Sequence, residues 1–113
     1  MTLAFQHLSA DIAVASQLSP EAMAEAAAAG FRSVVNNRPD FEGGPSQPSS
    51  ASIESAAHAA GLSYAFLPVA PNLQTADEIA RFAALLESLP KPLLAFCRTG
   101  TRSGNLVRAA IGV

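Results

Sequence analysis

The sequence has a single cysteine, one tyrosine and no tryptophan. One cysteine excludes an intramolecular disulfide framework, and a reducing cytoplasm is the compartment expected for it. Charge is sparse too: charged residues make up 14% of the chain and the formal net charge is −2. Nucleic-acid binding needs a basic field, so no nucleic-acid partner is expected. No run approaches the roughly 20 apolar residues that span a bilayer, and no Lys or Arg precedes Arg32. Neither a membrane association nor a secretory leader is therefore expected. His7, His58 and Cys97 are far apart, without the close ligand pairs of a metal site, so no metal or other cofactor is expected. His58 reads as a core-edge or surface histidine of a helix.

What is present is apolar and finely alternating. Half of the 113 residues are hydrophobic, which allows a sizeable core in one domain spanning 1–113. Ser19, Pro20 and Glu21 predict a helix start, with Gly30 as its stop. The β-branched stretch 31–36 predicts a buried strand. A helix is expected from about Ser50 to Ala60, then a strand from Tyr64 to Val69. Thr75 and Glu78 form a capping-box pattern opening a third helix, with Ile79, Phe82, Ala83 and Leu86 as its core stripe. Leu93 to Phe96 predicts an apolar strand, and a last helix runs from near Arg102 to Ile111. Leu3 to Phe5 and Ile12 to Ala15 are expected as short opening strands. This order predicts an α/β fold with a parallel sheet covered on both faces, a three-layer arrangement.

In such a sheet, ligands bind where loops leave the carboxyl ends of strands. Three loops should meet there: Asn37 to Ser49, Pro68 to Gln74, and Cys97 to Arg102. The first is long, and its Gly-Pro-Ser stretch suits a loop over the active edge better than a disordered linker.

The third loop carries the chemistry. Cys97-Arg98-Thr99-Gly100-Thr101-Arg102-Ser103 joins a buried strand to a helix N-terminus, whose free N–H groups and dipole favour an anion. Gly100 lets the chain curl, and the curl aims successive amides inward as an anion nest. Arg98, Thr99, Gly100, Thr101 and Arg102 are the candidate anion-binding residues, with Arg38 from the first loop. Arg102 adds a planar fork of permanent charge. Cys97 at the rim should be largely thiolate near neutral pH, and Ser103 should steady that thiolate or a leaving group. The string Gly100-Thr101-Arg102-Ser103-Gly104 lacks the lysine of a nucleotide P-loop, so that alternative is set aside.

Taken together, Asn36-Asn37-Arg38-Pro39-Asp40, Gln47-Pro48-Ser49-Ser50, Gly61-Leu62-x-Tyr64 and the Cys97 loop resemble the phosphatase-like domain of the beta-lactamase-hydrolase-like proteins, some of which carry a sulfurtransferase label. The resemblance implies the fold of cysteine-dependent, dual-specificity phosphatases. Some relatives are fused to a metallo-hydrolase or sulfide-oxidising domain. This chain carries neither, so any such link is expected in trans.

The resemblance leaves the reaction open. Four residues, Arg98 to Thr101, separate Cys97 from Arg102, one fewer than in the phosphatase signature and closer to single-domain rhodaneses. Phe96 stands where that signature usually has His. The loop after the Tyr64 strand has no carboxylate to act as general acid, leaving Asp40 and Asp77 as candidates. The four-residue spacing and the missing acid favour a rhodanese-like sulfurtransferase. Its substrate is a sulfane-sulfur donor, Cys97 carries the persulfide, and an external thiol accepts the sulfur. The alternative is a phosphatase-like hydrolase of phosphomonoesters with Cys97, Arg102, Ser103 and Asp40 as its catalytic set. A third reading is a non-enzymatic domain that binds an anion or senses persulfide.

Overall fold

The computed structural model describes residues 3–112. Among the described residues, five strands and four helices follow one another as β1 (Gln6–His7), β2 (Ile12–Ala15), α1 (Ala22–Ala28), β3 (Ser33–Asn36), α2 (Ser50–Ala59), β4 (Ser63–Phe66), α3 (Ala76–Ser88), β5 (Leu93–Phe96) and α4 (Thr101–Ile111). The sheet order is β1-β2-β5-β3-β4. Only β1 is antiparallel; the other pairings are parallel.

Alternation along the strands divides the core into two layers. Ala13, Ala15, Val34, Leu94 and Phe96 point to one face, where Met23 and Ala26 of α1 and Ile53 and Ala57 of α2 cover them. Ile12, Val14, Val35, Leu93 and Ala95 point to the other, under Phe82 and Leu86 of α3 and Leu106 and Val107 of α4. The three-layer α/β fold expected from the sequence is therefore present. Burying side chains such as Phe82, Phe96 and Ile53 completely contributes roughly 1.5–3 kcal/mol each. No described helix is long and apolar enough to cross a membrane.

Local chemistry sets the boundaries. Thr75 accepts from Glu78 N–H while the Glu78 carboxylate accepts from Thr75 N–H, the full capping box of α3. Ser49 caps α2 by accepting from Ser52 N–H. The start of α1 differs from expectation. Ser19 Oγ accepts from Ala22 N–H at 3.3 Å, so Pro20 and Glu21 form a turn ahead of the helix. The opening strand also differs: Leu3 to Phe5 is unpaired, and β1 is Gln6–His7.

Ala15, Phe96 and Asn36 lie level across the sheet in the registers of β2, β5 and β3. Ser16, Cys97 and Asn37 therefore leave the sheet side by side on one edge, and that alignment builds the site.

Candidate active site

Cys97 follows directly from the central strand β5, and its loop is pinned at both sides. Cys97 N–H donates to Ala15 O at 3.4 Å and Gln17 N–H to Arg98 O at 3.2 Å. Gly100 then turns the chain with φ 92° and opens α4. Its N–H donates to Cys97 Sγ at 3.1 Å. The sulfur is fully buried, yet its pKa is lowered. Burial pushes the thiol up, but N–H groups of Ser103, Thr99 and Gly100 and the Ser103 hydroxyl outweigh it. Of the loop amides expected to face the sulfur, Gly100 N–H makes a direct hydrogen bond to it.

The Ser103 hydroxyl has one proton to give. It donates to Asn37 Oδ1 at 2.8 Å, and Asn37 is oriented by its own Nδ2 donating to Leu67 O. Serving the thiolate fully means turning away from Asn37. Thr99 and Thr101 join hydroxyls at 3.0 Å on the exposed side of the loop.

Arg102 is almost completely buried, and its partner is a residue the sequence reading missed. Glu42 accepts from Arg102 Nη1 at 2.8 Å and Nη2 at 2.7 Å. Nη1 also donates to Val69 O at 3.1 Å. A guanidinium has five N–H donors, so these bonds leave the Nε edge and one Nη2 hydrogen uncommitted. Arg102's pKa is raised, first by the Glu42 hydrogen bond, against burial, and further by Glu42's charge and the neighbouring Cys97 sulfur. Glu42 also accepts from Arg38 Nε at 2.9 Å, while Arg38 Nη1 donates to Gln17 Oε1 at 3.1 Å. The Arg102 hydrogen bond, opposed by burial and reinforced by Arg38, lowers Glu42 from 4.5 to about 2. A nearly buried arginine demands an anionic partner, and that demand, applied to the acidic residues of the edge loops, was the available signal for Glu42.

The three expected loops do converge: Asn37, Glu42, Val69 and the Cys97 loop touch one another. A cavity of about 510 Å³ opens there, lined by Arg38, Glu42, Gly43, Pro71, Arg98 and Arg102. Arg98 is exposed on its wall. Neither expected acid joins the cavity lining. Asp40 Oδ1 accepts from Ser50 N–H at 2.7 Å, which ties it to the start of α2. Asp77 lies in the first turn of α3 and pairs with Arg81 at 2.9 Å, both largely exposed. The chain turns between Asp40 and Glu42 because Phe41 takes a left-handed conformation, φ 66°, uncommon for a bulky residue and costly by roughly 1–2 kcal/mol.

The remaining motif residues frame the first loop. Asn36 Oδ1 accepts from Arg38 N–H, and Asn36 Nδ2 donates to the Tyr64 hydroxyl. That hydroxyl also meets Ser50 Oγ at 2.8 Å. Gln47 Nε2 donates to Pro39 O and its Oε1 accepts from Gly43 N–H. Among the described residues, no group of three or more His, Cys, Asp or Glu side chains is gathered as metal ligands would be.

Gly100 offers a local test. An ideal Cβ there meets nothing nearer than Ala15 O at an ordinary 3.5 Å, so the obstacle to a side chain is the positive φ. Gly100→Ala is expected to cost about 1 kcal/mol and lower the melting temperature by about 5 °C. It should also raise the Cys97 pKa, measured as an upward shift in the pH dependence of thiol alkylation. An unchanged pH dependence would show that the Gly100 amide does not hold the thiolate.

The sequence model described as "Beta-lactamase hydrolase-like protein, phosphatase-like domain" matches residues 4–112. The chain is 40% identical over 79 residues to the beta-lactamase hydrolase-like protein of Agrobacterium fabrum, covering 70% of this chain and 18% of that protein. It is 34% identical over 92 residues to the beta-lactamase hydrolase-like protein of Xylella fastidiosa, covering 81% and 21%. The chain thus spans about a fifth of the length of these curated relatives. Among solved structures, a "putative phosphatase" of Neisseria meningitidis superimposes with a TM-score of 0.83 at 30% identity, over 90% of this chain and 72% of that one. Tk-PTP in its active form superimposes with a TM-score of 0.68 at 17% identity, over 98% and 82%, and shares the fold.

Proposed function

The chain belongs to the phosphatase-like domain family of the beta-lactamase hydrolase-like proteins, and from that premise we propose that it is a cysteine-dependent hydrolase of small phosphomonoesters. One observation carries the reading: Gly100 N–H donates to a buried sulfur of lowered pKa, beside an arginine that Glu42 grips by two of its nitrogens. The sulfur is kept as a nucleophile, and loop amides with the open edge of Arg102 are placed for phosphoryl oxygens.

The reaction runs in two displacements. The Cys97 thiolate attacks phosphorus; an S–P bond forms, the P–O bond to the leaving group breaks, and a phosphocysteine results. Water then attacks phosphorus, the S–P bond breaks, and inorganic phosphate and the thiolate are released with loss of the water's proton. The amides and Arg102 neutralise charge on the three equatorial oxygens in both steps. Asp40 stays a proposed participant only through its loop, since its carboxylate holds Ser50 N–H.

Incubation with 4-nitrophenyl phosphate is expected to give turnover that vanadate inhibits competitively, and acid quenching should trap phosphate on the Cys97 peptide. Vanadate-insensitive hydrolysis, or none, would reject the reading.

Sulfur transfer, preferred from the sequence alone, is the second reading. It draws on the four-residue spacing between Cys97 and Arg102, a tight ring suited to a terminal sulfur. The thiolate would attack the outer sulfur of thiosulfate, breaking the S–S bond and releasing sulfite, and an external thiol would take the persulfide sulfur. The family and the Neisseria structure support the phosphatase-like reading over it. One extra sulfur atom on Cys97 after thiosulfate treatment, passed to glutathione, would reverse that order.

A further inference from the structure

We infer that the site selects phosphoryl compounds whose leaving group departs without a proton, namely acyl phosphates and electron-poor aryl phosphates, over phosphate esters of ordinary alcohols. The inference rests on the phosphatase reading.

It follows from where the candidate proton donors sit. The cavity beside the Cys97 loop holds one carboxylate, Glu42. Both of its oxygens are taken by guanidinium N–H groups, Oε1 by Arg102 and Arg38 and Oε2 by Arg102. A proton on Glu42 would have to displace an arginine, so it is an acceptor held as an anion. Asp40 holds the amide of Ser50, and Asp77 faces Arg81 on the outer surface of α3.

Among the described residues, no Asp, His, Lys or Tyr and no Glu other than Glu42 lines the cavity. Asp11 precedes β2 and Lys91 precedes β5, at the opposite ends of the strands from Cys97. Lys91 Nζ donates to Leu86 O and Leu89 O. His58 lies in the last turn of α2, the end away from Ser50. The Tyr64 hydroxyl is tied to Asn36 and Ser50. The loop following β4, Leu67 to Gln74, contains no acid at all.

Three arginines, Arg38, Arg98 and Arg102, line the cavity and stabilise negative charge, which suits a leaving group that departs as an anion. Guanidinium does not supply a proton at neutral pH. A carboxylate leaves as the base of an acid with a pKa of about 4, whereas an alkoxide, like hydroxide, is a far stronger base that needs a proton as it departs.

The test is a series of aryl phosphates from dinitrophenyl to unsubstituted phenyl, with acetyl phosphate and glycerol phosphate added. We expect kcat/KM to fall about tenfold per unit of leaving-group pKa, acetyl phosphate to be cleaved, and glycerol phosphate to be inert. Turnover that is lost in Cys97→Ser yet falls less than about threefold per unit, or that acquires a steep dependence only in Asp40→Asn, overturns the inference and leaves the phosphatase reading standing. Absence of Cys97-dependent hydrolysis across the whole series rejects both.

Discussion

Cys97→Ser is expected to lower 4-nitrophenyl phosphate turnover by at least about 10⁴-fold, in the range seen when an enzyme loses its nucleophile. The reason is the identity of the atom and not its position. A thiol ionises with a pKa of about 8.5 before any help, and the Ser103, Thr99 and Gly100 amides bring Cys97 lower against the opposing effect of burial. A serine hydroxyl in the same ring starts too high for those amides to ionise it near neutrality. The fold should tolerate the exchange, because a hydroxyl is small and sits among N–H donors. Oxyanion binding should survive and tighten, because the thiolate's repulsion of a bound dianion is gone. Calorimetry with phosphate on both proteins checks this second limb. For the native chain, kcat/KM should lose its acidic limb at a pH below the free-thiol value, as the thiolate fraction requires. Activity in Cys97→Ser within about tenfold of native would remove the thiolate from the chemistry. Lost phosphate binding would mean that the sulfur itself holds the loop open.

The parts of the fold written in local sequence were legible. Leu93 to Phe96 lies between β2 and β3 and is buried on both faces, so it had to be four apolar residues in a row, and it reads that way. The capping box at Thr75 fixed the start of α3 because both partners lie within one turn. The two-residue β1 left no such mark. It is exposed on both sides, and its position depends on antiparallel pairing with β2, which no periodicity of its own announces. Ser19 misled in a more instructive way: it does accept from Ala22 N–H, but the turn it closes precedes the helix instead of starting it.

The site divides along the same line. The Cys97 loop is seven consecutive residues, so glycine, hydroxyls and arginine announce a curl into α4 without tertiary information. Glu42 reaches Arg102 across 60 residues of chain, and the sequence offers Asp40 and Glu42 two positions apart with nothing to choose between them. The choice is made by Phe41. Its left-handed backbone turns Asp40 toward the amide of Ser50 and Glu42 toward the arginines. Backbone strain at one exposed residue thus decides which acid caps a helix and which orients the guanidinium, and a pattern of residue types does not reveal it.

Glu42→Gln is expected to be the most damaging change outside the Cys97 loop. Glutamine keeps the length but exchanges one acceptor for an NH₂ that must face a guanidinium donor, leaving Arg102 and Arg38 without a counter-charge in a mostly buried setting. The carboxylate side chain is 22% exposed against 6% for Arg102, so solvent screening reduces what the lowered pKa implies to about 2 kcal/mol of stability at neutral pH. That corresponds to a fall of about 10 °C in melting temperature. A loosened Arg102 no longer presents its open edge to a phosphoryl group, and kcat/KM should drop about 10²-fold. The pH dependence identifies the cause. Glu42 has its pKa depressed from 4.5 to about 2, so its contribution is complete above about pH 4.5 and is lost as the pH falls towards 2. The native chain and the Glu42→Gln variant should therefore converge in stability across that window, because a protonated Glu42 is no better a partner for arginine than glutamine. Denaturant midpoints measured at pH 7, 4.5 and 3 show the gap narrowing if the ion pair holds the site together. A gap that stays constant down to pH 3 would trace the loss to packing around the Phe41 turn and leave Arg102 positioned by Val69 O alone.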